Sequence, residues 1–398
     1  MRPVILPPFN PLIPQFRCDP YPTYRWYREE DPVHWNGLPD RPGAGTWYLF
    51  RYDDVLAALT NGSLGKTNNP LAPGPLGTML AQWMLLRNPP DHTRLRALVS
   101  SAFTPHVVDR LRPAIQGIAD VLLDEVQSQG EMDVILHYAS ALPLIVIAEL
   151  LGVPRRDRAR LRKWSIDLSV IVDLNATREG VAKATQSMME LTEYLRGIAG
   201  ERRANPQEDL ITALIAAEED GETLTQDELL AMCVLLLGAG HETSVNLIGN
   251  GTLALLQHPD QLARLRDDPS VAESAVEELL RYDSSVQMVF REALEDLDIG
   301  GKTIRKGEAV TMLLGSANRD PAQFLDPDRL DLTRSRKRHG AFGMGIHFCL
   351  GAPLAGLEAQ IAFQTLLRRM PHLQLRPGPL HWGEGIVFHG LEHLPVTF

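Results

Sequence analysis

Residues 341–353 read AFGMGIHFCLGAP, a cysteine set among glycines just before a helical pattern. Gly343 and Gly345 let the backbone turn sharply and come close to a ligand. Backbone N–H groups in such a turn can point at the sulfur of Cys349, and a helix with Pro353 in its first turn brings the positive end of its dipole nearby. Both effects lower the pKa of a thiol. The segment therefore favours a stabilised thiolate, which can act as a nucleophile or as a metal ligand.

The surroundings of Cys349 favour ligation of a haem iron over nucleophilic catalysis. His347 would point away from the sulfur in an extended segment, so no base stands at a recognisable position. Axial ligation of haem iron requires a sulfur that is shielded by apolar residues and held by N–H donors. A dinucleotide-binding glycine motif is excluded, because Phe348 occupies the third glycine position and no β-α-β pattern follows. We interpret the distant Cys18 and Cys233 as structural, since neither forms a zinc-binding pair.

A second unusual segment lies in a long apolar helix. Thr225 and Glu228 form a capping box, and the helical pattern runs to His258 before Pro259 stops it. At about 1.5 Å per residue this helix is roughly 50 Å long and crosses the molecule. Its centre, residues 238–244, reads GAGHETS and interrupts the apolar pattern with small and polar side chains. Close helix packing would explain the glycines, but a flat ligand against the helix, with an acid and an alcohol beside it, explains the whole segment.

Composition and patterning predict one folded domain over residues 1–398. The chain is 44% hydrophobic and 22% charged, which is typical of a globular protein, and it contains no low-complexity linker or internal repeat. Strand-like runs are concentrated in residues 1–60 and 283–320. Helical spacing dominates residues 91–282 and 353–370. The predicted fold class is mainly α with small β-sheets (α+β).

The charge balance and the apolar runs exclude several kinds of partner. The net charge is −11, which disfavours nucleic acid or an anionic membrane as the main partner. The apolar run at residues 229–240 has 12 residues, fewer than the ~20 that span a bilayer. The opening residues 1–8 lack the apolar core of a signal peptide. We therefore expect a cytoplasmic protein.

Residues 342–351, FGMGIHFCLG, resemble the haem-binding loop of the cytochrome P450 family of haem-thiolate monooxygenases. Three more segments resemble family motifs and occur in the family's order: DHTRLR at 91–96, AGHET at 239–243 and ELLR at 278–281. The resemblance implies a single triangular-prism fold that holds haem b between the long central helix and the helix after the cysteine loop. It also implies that Cys349 is the iron ligand.

The resemblance assigns roles to the other site residues. Gly240 opens a kink where dioxygen sits, while Glu242 and Thr243 deliver the protons that O–O cleavage requires. The remaining haem contacts implied by the family pattern are Phe342, Gly343, Gly351 and Ala239, with His92, Arg96, Arg291 and His347 as donors to the haem propionates. A buried structural set, Glu278, Arg281 and the meander residue Arg329, holds the cysteine loop in place.

The resemblance also predicts partners. Only 49 residues follow Cys349, too few for a fused redox module, so we expect a separate ferredoxin or flavodoxin with an NAD(P)H-dependent reductase. The basic residues 334–339 form either a docking patch for such an acidic protein or a solvated loop. The substrate is expected to be a hydrophobic small molecule such as a terpenoid, fatty acid or polyketide. The segments expected to line its pocket are residues 66–86, 164–191, 235–239, 286–289 and 386–387.

Two alternatives remain open from the sequence. Within enzymes, the chain could use hydrogen peroxide directly as a peroxygenase, or catalyse oxidative coupling. Outside enzymes, it could be a haem-binding carrier or sensor. Glu242 and Thr243 favour dioxygen activation over both, because storage or sensing does not require an acid and an alcohol at the haem.

Overall fold

The computed structural model describes residues 9–38, 41–67, 74–173, 176–219, 221–335 and 338–398, which are mainly helical with small sheets, as predicted. The α-helices are α1 Pro14–Cys18, α2 Tyr21–Glu30, α3 Tyr52–Thr60, α4 Gly74–Leu80, α5 Asp91–Ser100, α6 Pro105–Asp109, α7 Arg112–Gln127, α8 Ala141–Leu150, α9 Arg158–Ser169, α10 Arg178–Ala204, α11 Leu210–Ala216, α12 Gln226–Gln257, α13 Pro259–Asp267, α14 Ala272–Tyr282, α15 Leu314–Ala317 and α16 Ala352–Arg369. The strands are β1 Val33–Leu38, β2 Arg41–Leu49, β3 Leu64–Gly65, β4 Glu131–Asp133, β5 Glu218–Glu219, β6 Glu222–Thr223, β7 Met288–Ala293, β8 Leu297–Ile299, β9 Lys302–Ile304, β10 Ala309–Leu313, β11 Gln374–Leu375, β12 His381–Trp382, β13 Leu391–His393 and β14 Pro395–Thr397.

The central helix α12 begins and ends where its sequence predicts. Thr225 accepts a hydrogen bond from the Glu228 backbone and the Glu228 side chain accepts one from the Thr225 N–H, which completes the capping box. Its 32 residues span roughly 48 Å at about 1.5 Å per residue. It packs against α8, α9, α14 and α16 in the main hydrophobic core.

The helix α12 is long and apolar enough to span a membrane. The run at residues 229–240 considered above is too short to indicate this. In the fold, 72% of the most apolar 18-residue stretch of α12 is buried inside the protein. Burial of this kind is typical of the core helix of a globular domain.

The largest sheet joins strands from both ends of the chain in the order β1-β2-β10-β7-β3. Strand β10 runs parallel to β2, and the other pairs in this sheet are antiparallel. In the pairing of β3 with β7, Gly65 lies opposite Glu292. Continuing that register by one residue brings Lys66 opposite Arg291, which places two cations at one edge of the site.

The predicted distribution of sheet and helix needs one correction. The strands β7 to β10 lie within residues 283–320, the helices α5 to α14 dominate residues 91–282, and α16 matches the predicted helix at 353–370. Residues 1–60 contain the strands β1 and β2, as predicted, but residues 14–30 form the helices α1 and α2, which bury Phe16, Tyr24 and Tyr27 in an aromatic cluster. Packing of these aromatic residues favours helix here. Residues 1–8, on which the signal-peptide interpretation rests, lie outside the described residues.

Candidate functional site

The cysteine loop has the turn geometry that its glycines predict. Gly343 and Gly345 both have φ +69°, the left-handed region that favours glycine, and a Cβ on Gly345 would lie 2.8 Å from the Leu59 carbonyl oxygen. The Cys349 N–H donates to the Phe342 carbonyl oxygen at 2.9 Å and closes the loop. The helix α16 then starts at Ala352, with proline in its first turn.

The electrostatics of Cys349 differ from the prediction made from the loop alone. The nearby backbone N–H groups of Gly351 and Ala352, together with the Arg96 guanidinium, act to lower the pKa of its thiol. Burial acts more strongly in the opposite direction, so the pKa of the thiol is raised overall. The loop orients the sulfur and supplies donors, but a cation that replaces the proton is needed to hold it as a thiolate.

Five basic side chains converge beside the cysteine loop, and we call them the basic cluster: Lys66, His92, Arg96, Arg291 and His347. The rings of His92 and His347 lie 4.2 Å apart between centroids. Burial, then repulsion by the other four cations, lowers the pKa of His347 to about 2. Burial lowers the pKa of Arg291 to about 10 and that of Lys66 well below its usual value.

The basic cluster concentrates charges of one sign. Among the described residues, every charged side chain that shifts the pKa of His92 or His347 is a cation. Neither ring nitrogen of His92 has a hydrogen-bond partner there, although the side chain is 2% exposed. Buried cations without partners are costly, so the arrangement suits a ligand that carries two carboxylates. Together with the sulfur of Cys349, it fits a haem whose propionates face the cluster.

Lys66 was missed as a site residue in the sequence, where it only marked the start of a segment expected to line the substrate pocket. Its neighbours along the chain carry no motif. It joins the basic cluster because β3 pairs with β7, and because Asn88 holds its backbone from both sides, with the Lys66 N–H donating to Asn88 Oδ1 at 2.7 Å and Asn88 Nδ2 donating to the Lys66 carbonyl at 2.9 Å. A contact between residues so far apart in sequence is decided by sheet pairing.

The middle of α12 presents the predicted acid and alcohol beside open space. A Cβ on Gly240 would meet nothing within 4 Å. The Thr243 hydroxyl donates to the Ala239 carbonyl oxygen at 2.8 Å, and burial raises the pKa of Glu242. The predicted kink at Gly240 is not a break, because the helix runs without interruption from Gln226 to Gln257. The irregular feature of this turn is the bond from Thr243 to the Ala239 carbonyl oxygen, and hydroxyls that bond back in this way often bend a helix without breaking it.

Two further buried groups flank this turn and were not singled out in the sequence. His241 is clamped between helices, with Nε2 donating to the Ser140 carbonyl oxygen at 3.0 Å and Nδ1 lying 2.8 Å from the Ser165 hydroxyl. Glu358 on α16 is 3% exposed, and burial raises its pKa to about 8 although Ser244 hydrogen-bonds it. Both fix α12 against its neighbours.

The buried ion pair of α14 has a different third member from the one predicted. Arg281 donates twice to the Glu278 carboxylate, at 2.7 and 2.8 Å, as the resemblance implies. The arginine that joins them is Arg334, whose Nε lies 3.0 Å from Glu278 Oε1. The Arg329 side chain is exposed, and this residue contributes only its carbonyl oxygen, which accepts from Arg281 and Arg334. The chain turns back between Arg329 and Arg334, so the Arg334 side chain reaches Glu278. The tertiary structure, and not the local sequence, determines which arginine joins the pair.

The basic segment 334–339 is therefore not a uniform surface patch. Arg334 points into the ion pair, and the buried His339 lies 3.1 Å from a Glu277 carboxylate oxygen. Arg338 is exposed, while residues 336–337 lie outside the described residues. Any docking contribution from this segment rests on fewer charges than the sequence shows.

The segments predicted to line the substrate pocket come together in part. Residues 286–289 and 386–387 meet through a bond from the Gln287 N–H to the Val387 carbonyl oxygen at 2.8 Å. An apolar groove of about 190 Å³ lies between α4 and α10, lined by Leu76, Met79, Met188 and Met189 among others. Within the predicted segment 66–86, residues 68–73 lie outside the described residues.

Comparisons with known proteins find relatives that align with nearly the whole chain. The family model described as Cytochrome P450 matches residues 166–375. The polyketide biosynthesis cytochrome P450 PksS of Bacillus subtilis is 42% identical over 98% of this chain and 98% of its own length. Cytochrome P450 107B1 of Saccharopolyspora erythraea is 46% identical over 96% of this chain and 95% of its own. The crystal structure of P450BioI in complex with hexadec-9Z-enoic acid ligated acyl carrier protein shows a TM-score of 0.91 and 41% identity, covering 96% of this chain and 99% of that one.

Proposed function

The chain belongs to the cytochrome P450 family, and from this membership we propose that it hydroxylates or epoxidises a fatty-acyl or polyketide-like substrate at a site formed by Cys349 and α12. It is a haem-thiolate monooxygenase that acts on a hydrophobic substrate, with haem b as its cofactor. The observation that carries the proposed site is the convergence of the Cys349 sulfur with the basic cluster, in which the charges that act on His347 from the described part of the chain are all positive.

The chain's own residues would hold the cofactor in distinct ways. Cys349 would supply the sulfur that binds the iron, and the N–H groups of Gly351 and Ala352 would stabilise its negative charge. The basic cluster would bind the two propionates through charge-assisted hydrogen bonds. When bound, the thiolate-ligated haem supplies dioxygen activation with two electrons.

Glu242 and Thr243 are proposed to supply protons at the same site. Because burial raises the pKa of Glu242, its carboxyl retains a proton closer to neutral pH than an exposed glutamate does. The Thr243 hydroxyl is held one helical turn from the open space above Gly240 by its bond to Ala239. An acid and an alcohol in this position deliver protons from the protein interior and limit access of bulk water.

We further propose a separate electron donor and a cytoplasmic location. A ferredoxin or flavodoxin with an NAD(P)H-dependent reductase would dock on the face of the cysteine loop. The loop presents Ile346, 53% exposed, and Phe348, 39% exposed, and the segment leading into it carries the exposed Arg338. Apolar side chains with a basic neighbour suit an acidic redox protein.

The proton-delivery role is tested by Thr243→Ala, with Thr252→Val on the same helix as the matched control. Thr252 is also a threonine whose hydroxyl bonds the carbonyl four residues earlier, but it is buried and lies nine residues further along the helix. With reductant and a surrogate ferredoxin, Thr243→Ala is expected to lose at least tenfold in product per NAD(P)H and to release more peroxide. Unchanged coupling in Thr243→Ala would contradict the role. Peroxide-supported turnover alone, with no NAD(P)H-dependent product, would favour a peroxygenase.

The substrate class is tested by spectral titration of the ferric protein. Candidates are long-chain fatty acids, macrolactone polyketides and terpenoids, the first two both free and as carrier-protein thioesters. P450BioI was crystallised with an acyl chain on a carrier protein, and PksS is named for polyketide biosynthesis. A low-to-high-spin change with acyl or polyketide ligands supports the proposal. A change only with terpenoids would overturn it.

A further inference from the structure

A polar stripe runs along one face of the otherwise apolar helix α12. Glu242, Asn246 and Asn250 are spaced four residues apart, which places them on one face, one above the other. Asn246 is 3% exposed and Asn250 is 2% exposed. Buried amides in an apolar core cost free energy unless their polar atoms are satisfied, so their presence here calls for a physical reason.

Each asparagine has one unpaired polar atom. Among the described residues, Nδ2 of Asn246 and Oδ1 of Asn250 have no hydrogen-bond partner. Burial raises the pKa of the Glu242 carboxyl overall, and the nearby Asn246 amide partly opposes this rise. A buried water typically makes about three hydrogen bonds to polar groups of this kind. The stripe therefore has the chemistry of a hydrated path.

The outer end of the stripe leads to a paired histidine and aspartate. Asn250 Nδ2 donates to the His389 carbonyl oxygen at 2.8 Å. The His389 ring lies between two acceptors, with Nε2 at 3.1 Å from the Arg17 carbonyl oxygen and Nδ1 at 2.9 Å from Asp283 Oδ1. Since the carbonyl can only accept, Nε2 carries a hydrogen, and the contact with Asp283 is satisfied only when a further proton lies between Nδ1 and Oδ1.

The histidine and aspartate connect this path to the protein surface. The Asp283 side chain is 14% exposed, whereas that of His389 is 7% exposed. Trp382 stacks on the His389 ring at 4.1 Å, and the Tyr21 hydroxyl donates to Asp283 at 2.8 Å, which holds both groups in place. At the inner end, Gly390 packs so closely that an added Cβ would lie 1.9 Å from Asn246 Oδ1. The segment carrying His389 is thus pressed against the stripe.

We propose that protons reach Glu242 from solvent through Asp283 and His389, along waters held by Asn250 and Asn246. In each transfer, one proton enters at the Asp283–His389 pair and the Glu242 O–H gives one proton to the active site. The Glu242 carboxylate then takes a proton from the adjacent water, so no water is consumed and the path returns to its starting state. The inference rests on the proposed role of Glu242 as proton donor and specifies how that donor is recharged.

The test measures the rate of hydrogen–deuterium exchange at the Glu242 carboxyl. Infrared difference spectroscopy on the resting ferric holoenzyme monitors the exchange. The band is assigned by its loss in Glu242→Gln. Asn250→Leu fills the same volume without a polar atom, and Asn250→Ser keeps a polar atom with more room for water. Thr252→Val, two residues along and off the stripe, is the matched control. Thermal unfolding and the reduced carbon monoxide spectrum check that each variant is folded.

The proposal predicts at least tenfold slower exchange in Asn250→Leu and near wild-type exchange in Asn250→Ser and Thr252→Val. Equal exchange in Asn250→Leu and wild type would overturn it. Equally slow exchange in the Leu and Ser variants would also overturn it, because it would indicate a purely structural asparagine. If Asn250→Leu does not fold, Asn246→Leu carries the same expectation.

Product coupling in Glu242→Gln separates this inference from the function on which it rests. Full coupling in Glu242→Gln would show that Glu242 is not the proton donor, whatever the exchange rate. Lost coupling together with unchanged exchange in Asn250→Leu would leave the donor role intact and reject only the path. A larger solvent isotope effect on product formation in Asn250→Leu than in Thr252→Val supports the path independently.

Discussion

At the scale of single residues, burial decides more of the chemistry than local donors do. The N–H groups beside Cys349 and the hydroxyl beside Glu358 both stabilise a negative charge, yet burial raises both pKa values. A cysteine or glutamate exposed on the surface would not have its pKa raised by burial. A motif identifies such a group, but its protonation depends on how much of the fold surrounds it.

Glu358 gives this a measurable consequence. Its pKa is raised from 4.5 to about 8, so the folded state keeps a proton that the unfolded state loses. The contribution of Glu358 to the free energy of unfolding is therefore fully present below about pH 4.5. It falls as pH rises towards 8, by at most about 1.4 kcal/mol per pH unit. Glu358→Gln is expected to be more stable than wild type at pH 8.5, with a difference that disappears near pH 5. Thermal unfolding at several pH values measures this, with the exposed Glu125→Gln as control. A constant difference would contradict it.

At the scale of elements, one buried carboxylate ties α14 to the chain that leads into the cysteine loop. Glu278 is 4% exposed and accepts bonds from Arg281, Arg334 and the Asp331 N–H. Arg281 in turn donates to the Asn318 and Pro327 carbonyl oxygens. The Glu278–Arg281 pair therefore holds the segment 318–334 in place, and we call it the clamp. An exposed i, i+3 pair contributes little to stability.

The clamp predicts different outcomes for the two arginines. Removing one partner of a buried ion pair costs about 3–5 kcal/mol, so Arg334→Leu is expected to lower the unfolding midpoint and the haem content of purified protein. Arg329→Leu changes an exposed side chain and is expected to shift stability by less than about 0.5 kcal/mol. Thermal unfolding and haem-to-protein absorbance ratios measure both variants. Equal effects of the two substitutions would restore Arg329 as the structural partner.

At the scale of the whole molecule, the proposed propionate site would couple folding to haem binding. Its members come from the end of β3, from α5, from β7 and from the cysteine loop, so folding concentrates cations that the unfolded chain keeps apart. Without an anionic ligand, these cations oppose the fold. A dianionic ligand reverses the sign of their contribution and stabilises the folded state by mass action.

Lys66→Met separates the two effects. Removing a buried cation is expected to raise the unfolding midpoint of the haem-free protein and to speed haem loss from the holoprotein. The exposed Lys302→Met on β9 is the control and should change neither. Unfolding of both forms, with haem transfer to an acceptor globin, provides the readout. If Lys66→Met shifted the unfolding midpoints of the haem-free and haem-bound proteins in the same direction, the result would count against the basic cluster as the propionate site.

How much the sequence predicted depended on the range of the interaction. The capping box of α12, the start of α16 and the glycine turns around Cys349 all follow from residues within about one turn of each other. The motif residues His92, His347 and Arg291 could be named because they resemble a family pattern. Lys66 could not, because no neighbour in the chain marks it.

By itself, the sequence determined the mainly helical class with small sheets, the bounds of the long central helix and the cysteine loop beside it, because short-range hydrogen bonds and turn geometry control these features. Only the tertiary structure decided that Arg334 rather than Arg329 joins Glu278, that Lys66 faces Arg291, and that Asn246 and Asn250 line up behind Glu242 towards His389. These contacts depend on sheet register and helix packing between distant segments. Burial then sets the charge of each group, and burial is a property of the whole fold.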